Sequence, residues 1–267
     1  MQQRKLKIYF TSDVHGYFYP TTYGDMTEKN VGLFGCAGNF KKDEDTLILD
    51  GGDILQGSAF AYYCRQVADS PEVIADIMND CGYDYYTLGN HDFNYGLEYQ
   101  AAYRSRNNGV CVCQNITDEA GNTLFPWKLH TMKNGLRVGI VGIVTDYVNI
   151  WEKEENLKGI HITDPFEAAK NALAQMKEQT DLTICIYHGG FECDLESGET
   201  LSQTTENVGY RICKELDFDI LLTGHQHMSV PGRDISGTYT VQPCDNAKEY
   251  QLSLIHISEP TRPEPIS

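Results

Sequence analysis

The sequence predicts an α/β fold, because short apolar strands alternate with amphipathic helices along the chain. Five β-branched, apolar stretches each end in a polar cluster; they are residues 5–10, 46–50, 85–88, 182–187 and 219–222. Between several of them, apolar residues recur at spacings of three and four with charge on the other side. Open α/β sheets bind ligands at the carboxyl ends of their strands, so the polar clusters predict a site there.

The remaining elements follow the same periodicities. Further strands are predicted at residues 110–116, 136–145 and 238–243, and helices at 71–81, 96–106, 164–179 and 206–216. Asp164 and Pro165 open the third helix as a cap followed by proline in the first turn. No internal repeat, low-complexity stretch or linker precedes residue 251. One domain over residues 1–251 is therefore expected.

Composition limits the classes of partner. The chain has 267 residues, with 38 acidic and 21 basic side chains and a net charge of -17, which repels long nucleic acids and anionic membranes. A small anionic substrate requires local cations, such as bound metals, that reverse this field. Nine irregularly spaced cysteines, with no C-x-x-C motif, indicate reduced thiols. With no apolar run typical of a secretory signal or a membrane span, a cytoplasmic location is expected.

The five polar clusters carry the side chains that metals bind. They are Asp13, His15, Asp53, Asn90, His91, Asp92, His188, His225 and His227. Oxygen ligands mixed with imidazoles suit divalent transition metals such as Zn, Mn, Co or Fe. Asp53 is the one such residue in its cluster, so its two carboxylate oxygens could bridge two ions. Two adjacent metals would polarise a phosphoryl group and generate a hydroxide at neutral pH.

Five sequence blocks, in chain order, resemble the calcineurin-like metallophosphoesterase superfamily. The blocks are SDVHG, GGD followed by QG, LGNHDF, YHGG and GHQH, and the resemblance spans nearly all of residues 6–245. Within the superfamily the spacing is similar to the group of 5′-nucleotidases and 2′,3′-cyclic-nucleotide phosphodiesterases. The resemblance implies a four-layer α-β-β-α sandwich with two mixed β-sheets, and a metal-dependent phosphoric ester hydrolase that acts on nucleotides.

The resemblance also implies a role for each residue. One metal would be held by Asp13, His15, Asp53 and His227, and the other by Asp53, Asn90, His188 and His225. His91 would contact the transferred phosphoryl group as a general acid or by stabilising its charge. The expected nucleophile is a metal-bound hydroxide that attacks phosphorus.

One position departs from the 5′-nucleotidase pattern. There an Asp follows the catalytic His by three residues and orients it, whereas this chain has Asn94. The amide oxygen of Asn94 can accept a hydrogen bond from His91 but cannot stabilise an imidazolium by charge. Asp92 is the alternative orienting partner. Residues 151–160 and 188–199 are more like the cyclic-phosphodiesterase and 3′-nucleotidase branch, so the branch stays open.

Both branches have a C-terminal domain that clamps the nucleobase, and nothing before Leu252 resembles it. Residues 252–267 instead match the translation of a common sequencing-library adapter, so they are interpreted as non-native and the substrate-binding domain as missing. Two alternatives to a nucleotide hydrolase follow. One is an inactive metal-binding fragment, and the other is a nuclease of the same superfamily, which the acidic charge disfavours.

Overall fold

Two mixed β-sheets form the centre of the molecule in this computed structural model, which describes residues 4–22, 24 and 27–257. In the first sheet, β1 (Arg4–Thr11), β2 (Thr46–Asp50), β3 (Tyr85–Tyr86) and β4 (Val110–Cys111) run parallel, and β14 (Gln251–Ile257) pairs antiparallel with β1. The interpretation of residues 252–267 as translated adapter remains a prediction. Residues 252–257 lie in β14, and residues 258–267 lie outside the described residues.

The second sheet has a parallel centre and antiparallel edges. Its order is β12 (Val230–Ile235), β13 (Thr238–Gln242), β11 (Ile220–Thr223), β10 (Leu182–His188), β8 (Arg137–Val144) and β7 (Lys128–Thr131). A smaller sheet joins β6 (Thr123–Phe125), β5 (Cys113–Asp118) and β9 (Ile160–Ile162).

Seven α-helices lie in the described part of the chain. They are α1 (Leu33–Ala37), α2 (Ala59–Gln66), α3 (Glu72–Cys81), α4 (Leu97–Arg106), α5 (Val148–Trp151), α6 (Pro165–Met176) and α7 (Gly209–Glu215). Short 3₁₀ turns occupy Asn90–Phe93 and Glu154–Leu157. The predicted cap of α6 is confirmed, since the Asp164 side chain accepts a hydrogen bond from the Glu167 amide at 3.0 Å.

Three hydrophobic clusters confirm the four-layer order. Every second residue of β1 (Leu6, Ile8 and Phe10) packs into a cluster between the two sheets, against residues of the second sheet such as Ile184 and Ile186. Tyr9 faces the opposite way, into a cluster with residues of α1 to α4. The outer face of the second sheet packs on α6 and α7 in the third cluster. Both sheets are thus covered on both faces, as near-continuous apolar strands predict.

Four predicted elements differ from the observed ones by more than one residue. The strand expected at residues 85–88 is confined to Tyr85–Tyr86, and the helix expected at 164–179 ends at Met176. The strand expected at residues 110–116 divides at Val112, whose amide bonds to Tyr86 in the first sheet before the chain enters the small sheet. The helix expected at 206–216 begins only at Gly209. The Glu206 carbonyl accepts hydrogen bonds from Thr145 and Tyr187, and the Asn207 side chain accepts one from Gly190, so these residues fix the loop beside the site and do not enter the helix.

Candidate metal centre

The structure brings the five polar clusters together where the carboxyl ends of the two sheets meet. Asp13 and His15 follow β1, Asp53 follows β2, and Asn90 begins the turn after β3. From the second sheet, His188 ends β10, and His225 and His227 follow β11. All seven predicted metal ligands therefore lie in one region, with contributions from both sheets.

The first half of the centre consists of Asp13, His15 and His227, whose ligand atoms all lie within 4.8 Å of one another. The Nε2 atoms of His15 and His227 are 3.0 Å apart, and His227 Nε2 lies 3.4 Å from Asp13 Oδ1. Asp53 also lies nearby, with Oδ2 3.8 Å from His15 Nε2. These four residues together make up one candidate ion site.

The second half is built around Asp53 and His188, which also form a group with Asp13 within 4.8 Å. His188 Nε2 lies 3.2 Å from Asp53 Oδ2 and 3.1 Å from the amide oxygen of Asn90. The same amide oxygen is 2.9 Å from His225 Nδ1. Asp53 is thus adjacent to both halves of the centre.

The histidine tautomers are set by hydrogen bonds on the outer side of each ring. The pairs are His15 Nδ1 with the Gln56 carbonyl at 2.8 Å, His188 Nδ1 with the Gly51 carbonyl at 2.7 Å and His225 Nε2 with the Glu206 carboxylate at 3.0 Å. Carbonyl and carboxylate oxygens only accept, so the outer nitrogen donates and the inner nitrogen of a neutral ring presents a lone pair. The inner nitrogens face other acceptors at the distances given above.

Such an arrangement fits divalent metal ions. Imidazole nitrogens, an amide oxygen and carboxylates converge here, and such donors favour a positive charge between them. A bound ion supplies that charge, and in the metal-free chain a proton on His188 takes its place. Asp53 Oδ2 is buried and has no hydrogen-bond partner with acceptable geometry among the described residues. A buried carboxylate oxygen without a donor is costly, and coordination of a cation would remove that cost.

The electrostatics of the buried groups point the same way. Burial opposes ionisation of Asp13 and Asp53, yet His227 and His188 outweigh it and hold the pKa of both carboxyls below the usual range. Burial likewise disfavours the charged form of His188, but Asp53 and Asp13 raise its pKa to about 10. Burial and the neighbouring His188 lower the pKa of His225. The carboxylates therefore create a negative potential that attracts cations.

Backbone strain is concentrated at the same residues. Asp13, His15, Asp53, His225 and His227 have φ between 52° and 72°, in the left-handed region that side chains other than glycine seldom adopt. Each such residue costs on the order of 1–3 kcal/mol and persists only where the surroundings impose it. Five of the seven predicted ligands therefore adopt conformations that their own folding preferences disfavour.

The three predicted catalytic residues occupy different environments. The amide of His91 donates to Asp53 Oδ1 at 2.7 Å, and His91 Nδ1 lies 2.8 Å from Asn94 Oδ1. The Asp92 side chain is buried and points away from the His91 ring. Its carboxylate accepts backbone hydrogen bonds of 2.8 to 3.0 Å from the amides of Gly89, Asp53, Ile54 and Leu55. Asn94, not Asp92, is thus the residue that contacts the His91 ring in the structure.

Sequence reasoning missed three residues at the site. Glu206 pairs with His225, Glu152 contacts Asn94, and the Trp151 ring stacks on His225 with centroids 5.5 Å apart and planes 25° apart. Trp151 and Glu152 belong to the stretch 151–160, whose likeness to one family branch was the available signal. Glu206 lies in a polar loop without a motif, so no sequence signal distinguished it.

An α-β-β-α sandwich with candidate Asp, Asn and His ligands at the carboxyl ends of both sheets is the architecture of a metal-dependent phosphoesterase. The family model described as calcineurin-like phosphoesterase matches residues 6–229, and the chain belongs to this family. Members of the family use divalent metal ions, and the structure contains candidate ligands for them. The fold and family expected from the sequence are both confirmed.

Comparison with known proteins identifies three similar relatives. The chain is 29% identical over 88% of its length to the trifunctional nucleotide phosphoesterase protein YfkN of Bacillus subtilis, and covers 17% of that protein. Identity to the 2′,3′-cyclic-nucleotide 2′-phosphodiesterase/3′-nucleotidase of Yersinia enterocolitica is 27%, over 91% of this chain and 39% of the relative. Identity to the 5′-nucleotidase of Vibrio cholerae is 29%, over 85% and 41%.

A solved structure of B. subtilis YfkN superimposes with a TM-score of 0.84 at 25% identity, covering 97% of this chain and 87% of the crystallised one.

The chain spans less than half the length of the three curated relatives described above. Within the residues that the structure describes, no helix combines the length and the apolar character needed to cross a bilayer.

Proposed function

We propose that the chain hydrolyses phosphoesters of nucleotides, with two divalent ions at the candidate metal centre and His91 beside the reacting phosphate. The substrate class is that of its relatives, which are named as 5′-nucleotidases and 2′,3′-cyclic-nucleotide phosphodiesterases. The observation that carries the proposal is the pair of adjacent ligand clusters, Asp13 with His15 and His227 and Asp13 with Asp53 and His188. His91 lies beside both, with its amide 2.7 Å from Asp53 Oδ1 and its ring centroid 5.3 Å from that of His15.

In this proposal, Asp13, His15, Asp53 and His227 hold one ion, and Asp53, Asn90, His188 and His225 hold the other. Bound ions supply positive charge to the phosphate and activate a water molecule for attack on phosphorus. The mixed oxygen and imidazole donors favour Mn, Zn, Co or Fe over Mg or Ca.

The negative charge of the cleft beside the centre supports the proposal that phosphate binding requires bound metal ions. A cleft of about 480 Å³ beside the centre is lined by Asn90, His91, Asn94, Val148, Trp151, Glu152, Glu206 and His225. Among the described residues, those that line the cleft include two carboxylates, Glu152 and Glu206, but no lysine or arginine. A phosphate would be repelled here unless metal ions neutralised it, so substrate binding should depend on the metal.

Three further expectations remain proposals. Residues 1–251 would be the catalytic domain. A cytoplasmic location is supported by the nine unpaired cysteines. The catalytic role expected for Asp92 would be an indirect one, because its carboxylate accepts hydrogen bonds from four backbone amides and not from the His91 ring.

The decisive experiment is hydrolysis by the Mn²⁺-loaded chain of 2′,3′-cyclic AMP and 5′-AMP, measured as ring opening and phosphate release. His91→Ala should lower the rate by 10²- to 10⁴-fold, the usual range for loss of a general acid. His161→Ala, at an exposed histidine in β9, is the matched control and should retain the rate.

The alternative of an inactive metal-binding fragment predicts a different result. In that case Mn²⁺ would raise the melting temperature, but neither nucleotide nor an activated aryl phosphate would be cleaved.

The same assay separates the two family branches. Faster cleavage of the cyclic substrate would favour the phosphodiesterase branch, whereas equal and slow cleavage of both nucleotides would indicate that these residues alone do not select between them.

A further inference from the structure

We infer that Glu152 is a positioning residue for His91 and acts on it through Asn94. The inference rests on the proposed function, in which His91 transfers a proton during phosphoester cleavage. It concerns residues outside the metal ligands, and it explains how a chain with Asn94 in place of an aspartate still orients His91.

Three side chains form a continuous hydrogen-bonded path. His91 Nδ1 lies 2.8 Å from Asn94 Oδ1, and Asn94 Nδ2 donates to Glu152 Oε2 at 2.7 Å. The other carboxylate oxygen of Glu152 accepts from Asn156 Nδ2 at 3.0 Å and from the Lys153 amide at 2.8 Å. Asn156 also donates to the Asn94 carbonyl at 3.2 Å, which ties the two loops together.

The chemistry of Glu152 determines the direction of every bond in this path. An ionised carboxylate only accepts, so the Asn94 amide must turn its nitrogen toward Glu152 and its oxygen toward His91. His91 Nδ1 must then carry a proton, and Nε2 is the nitrogen that is free to gain and lose one. The amide orientation of Asn94, and with it the tautomer of His91, is therefore set from Glu152.

Glu152 also supplies the charge that Asn94 lacks. A carboxylate two links from the imidazole polarises the Asn94 amide, so that the Asn94 oxygen accepts the His91 Nδ1 hydrogen more strongly than an unpaired amide would. Glu152 is half-buried at the side of the cleft, so solvent screens it only in part. The path thus replaces a direct His–Asp pair with a His–Asn–Glu chain.

The step that benefits is departure of the leaving group. A hydroxide oxygen, from a water that has released its proton to solvent, forms the new bond to phosphorus while the bond from phosphorus to the ribose oxygen breaks. His91 Nε2–H gives its proton to that ribose oxygen, and the ring regains a proton from solvent before the next turnover. An alkoxide is a poor leaving group and needs this proton, whereas a nitrophenolate departs without it. Loss of correct positioning should therefore affect nucleotides more than activated aryl esters.

The first test compares Glu152→Gln with wild type on two diesters, 2′,3′-cyclic AMP and bis(p-nitrophenyl) phosphate, using the Mn²⁺-loaded chain. Glutamine keeps the shape but can donate as well as accept, so the Asn94 amide is released from its single orientation. We expect kcat/KM for the cyclic nucleotide to fall about tenfold, a fraction of the full general-acid effect, and for the aryl diester less than twofold. Glu154→Gln, at an exposed glutamate in the same loop, is the control and should match wild type on both.

A double-mutant cycle adds a second test. Asn94→Asp places a carboxylate directly on His91, so the Glu152→Gln change should then cost nothing or raise the rate, because it removes repulsion between two neighbouring carboxylates. If Glu152→Gln costs the same factor in both backgrounds, or slows both diesters equally, Glu152 serves the fold alone and the inference is overturned.

A third measurement does not depend on turnover. In ¹⁵N-histidine-labelled, metal-free protein, with His91→Ala to assign the signal, His91 should be a single Nδ1–H tautomer in wild type and a mixture in Glu152→Gln. An unchanged single tautomer in the variant contradicts the inference. If wild type cleaves neither diester, the proposed function fails, and this measurement alone decides the role of Glu152.

Discussion

Stabilisation by metal should depend on Asp53 more than on any other single carboxylate, because Asp53 lies next to both halves of the centre. An ion at a hundred times its dissociation constant adds about 2.7 kcal/mol per site to the free energy of unfolding. Each kcal/mol moves the melting temperature of a domain of this size by about 2–4 °C. Two occupied sites should therefore raise it by about 10–20 °C.

Asp53→Asn is the sharpest perturbation available. Asparagine tolerates the left-handed φ of 59° at this position, and its amide oxygen can still accept the His91 amide hydrogen. The change is confined to Oδ2, which becomes an amide nitrogen facing His188 at 3.2 Å. The metal-free variant loses the buried Asp53–His188 ion pair and should melt below wild type. Measured from each protein's own metal-free midpoint, the shift on adding Mn²⁺ should fall by more than half in the variant.

The assay is thermal unfolding followed by circular dichroism, with a titration of Mn²⁺ against metal-free protein. Asp80→Asn, at an exposed aspartate on α3, is the control and should keep the full shift. A full shift in Asp53→Asn would refute the assignment of Asp53 to both ions.

Three further predictions concern stability, each measured by urea unfolding. Asp92→Asn should lower the free energy of unfolding by about 2–4 kcal/mol, since the amide nitrogen can no longer accept two of the four backbone hydrogens; a loss below about 1 kcal/mol would contradict this. Burial raises the pKa of Asp50 to about 8, so the folded chain binds a proton that the unfolded chain releases near pH 4, and stability should fall as pH rises between these values. Asp50→Asn should flatten that slope, and an unchanged slope would exclude Asp50 as its source. Asp164→Ala should cost about 1 kcal/mol through loss of the α6 cap, and an unchanged midpoint would show that the first turn is held by packing alone.

Local patterns were sufficient to predict much of this structure. The strands at 46–50 and 182–187 and the helix at 71–81 differ from the observed bounds by one residue or less, because burial on a sheet or a helix face imposes a clear period. The candidate metal ligands could be proposed because each follows a strand whose end can be located in the sequence, and because the blocks that contain them resemble those of a known family. Prediction failed where the deciding contact is remote in sequence, as with Glu206 and His225, or Glu152 and Asn94, which are 19 and 58 residues apart.

The position of the metal centre also couples function to folding. Asp13, His15, Asp53 and Asn90 extend from the first sheet, and His188, His225 and His227 from the second, so ions bound between them would cross-link the two sheets. Without that link, the sheets are held by the apolar cluster between them and by the Asp–His pairs of the centre, while the left-handed backbone of the centre opposes this packing. The strain is tolerated because it is local and the apolar layer beneath is continuous. Metal binding should therefore stabilise the contact between the sheets most, and hydrogen exchange in β1 and β10 should slow more on adding metal than exchange in the peripheral helix α3.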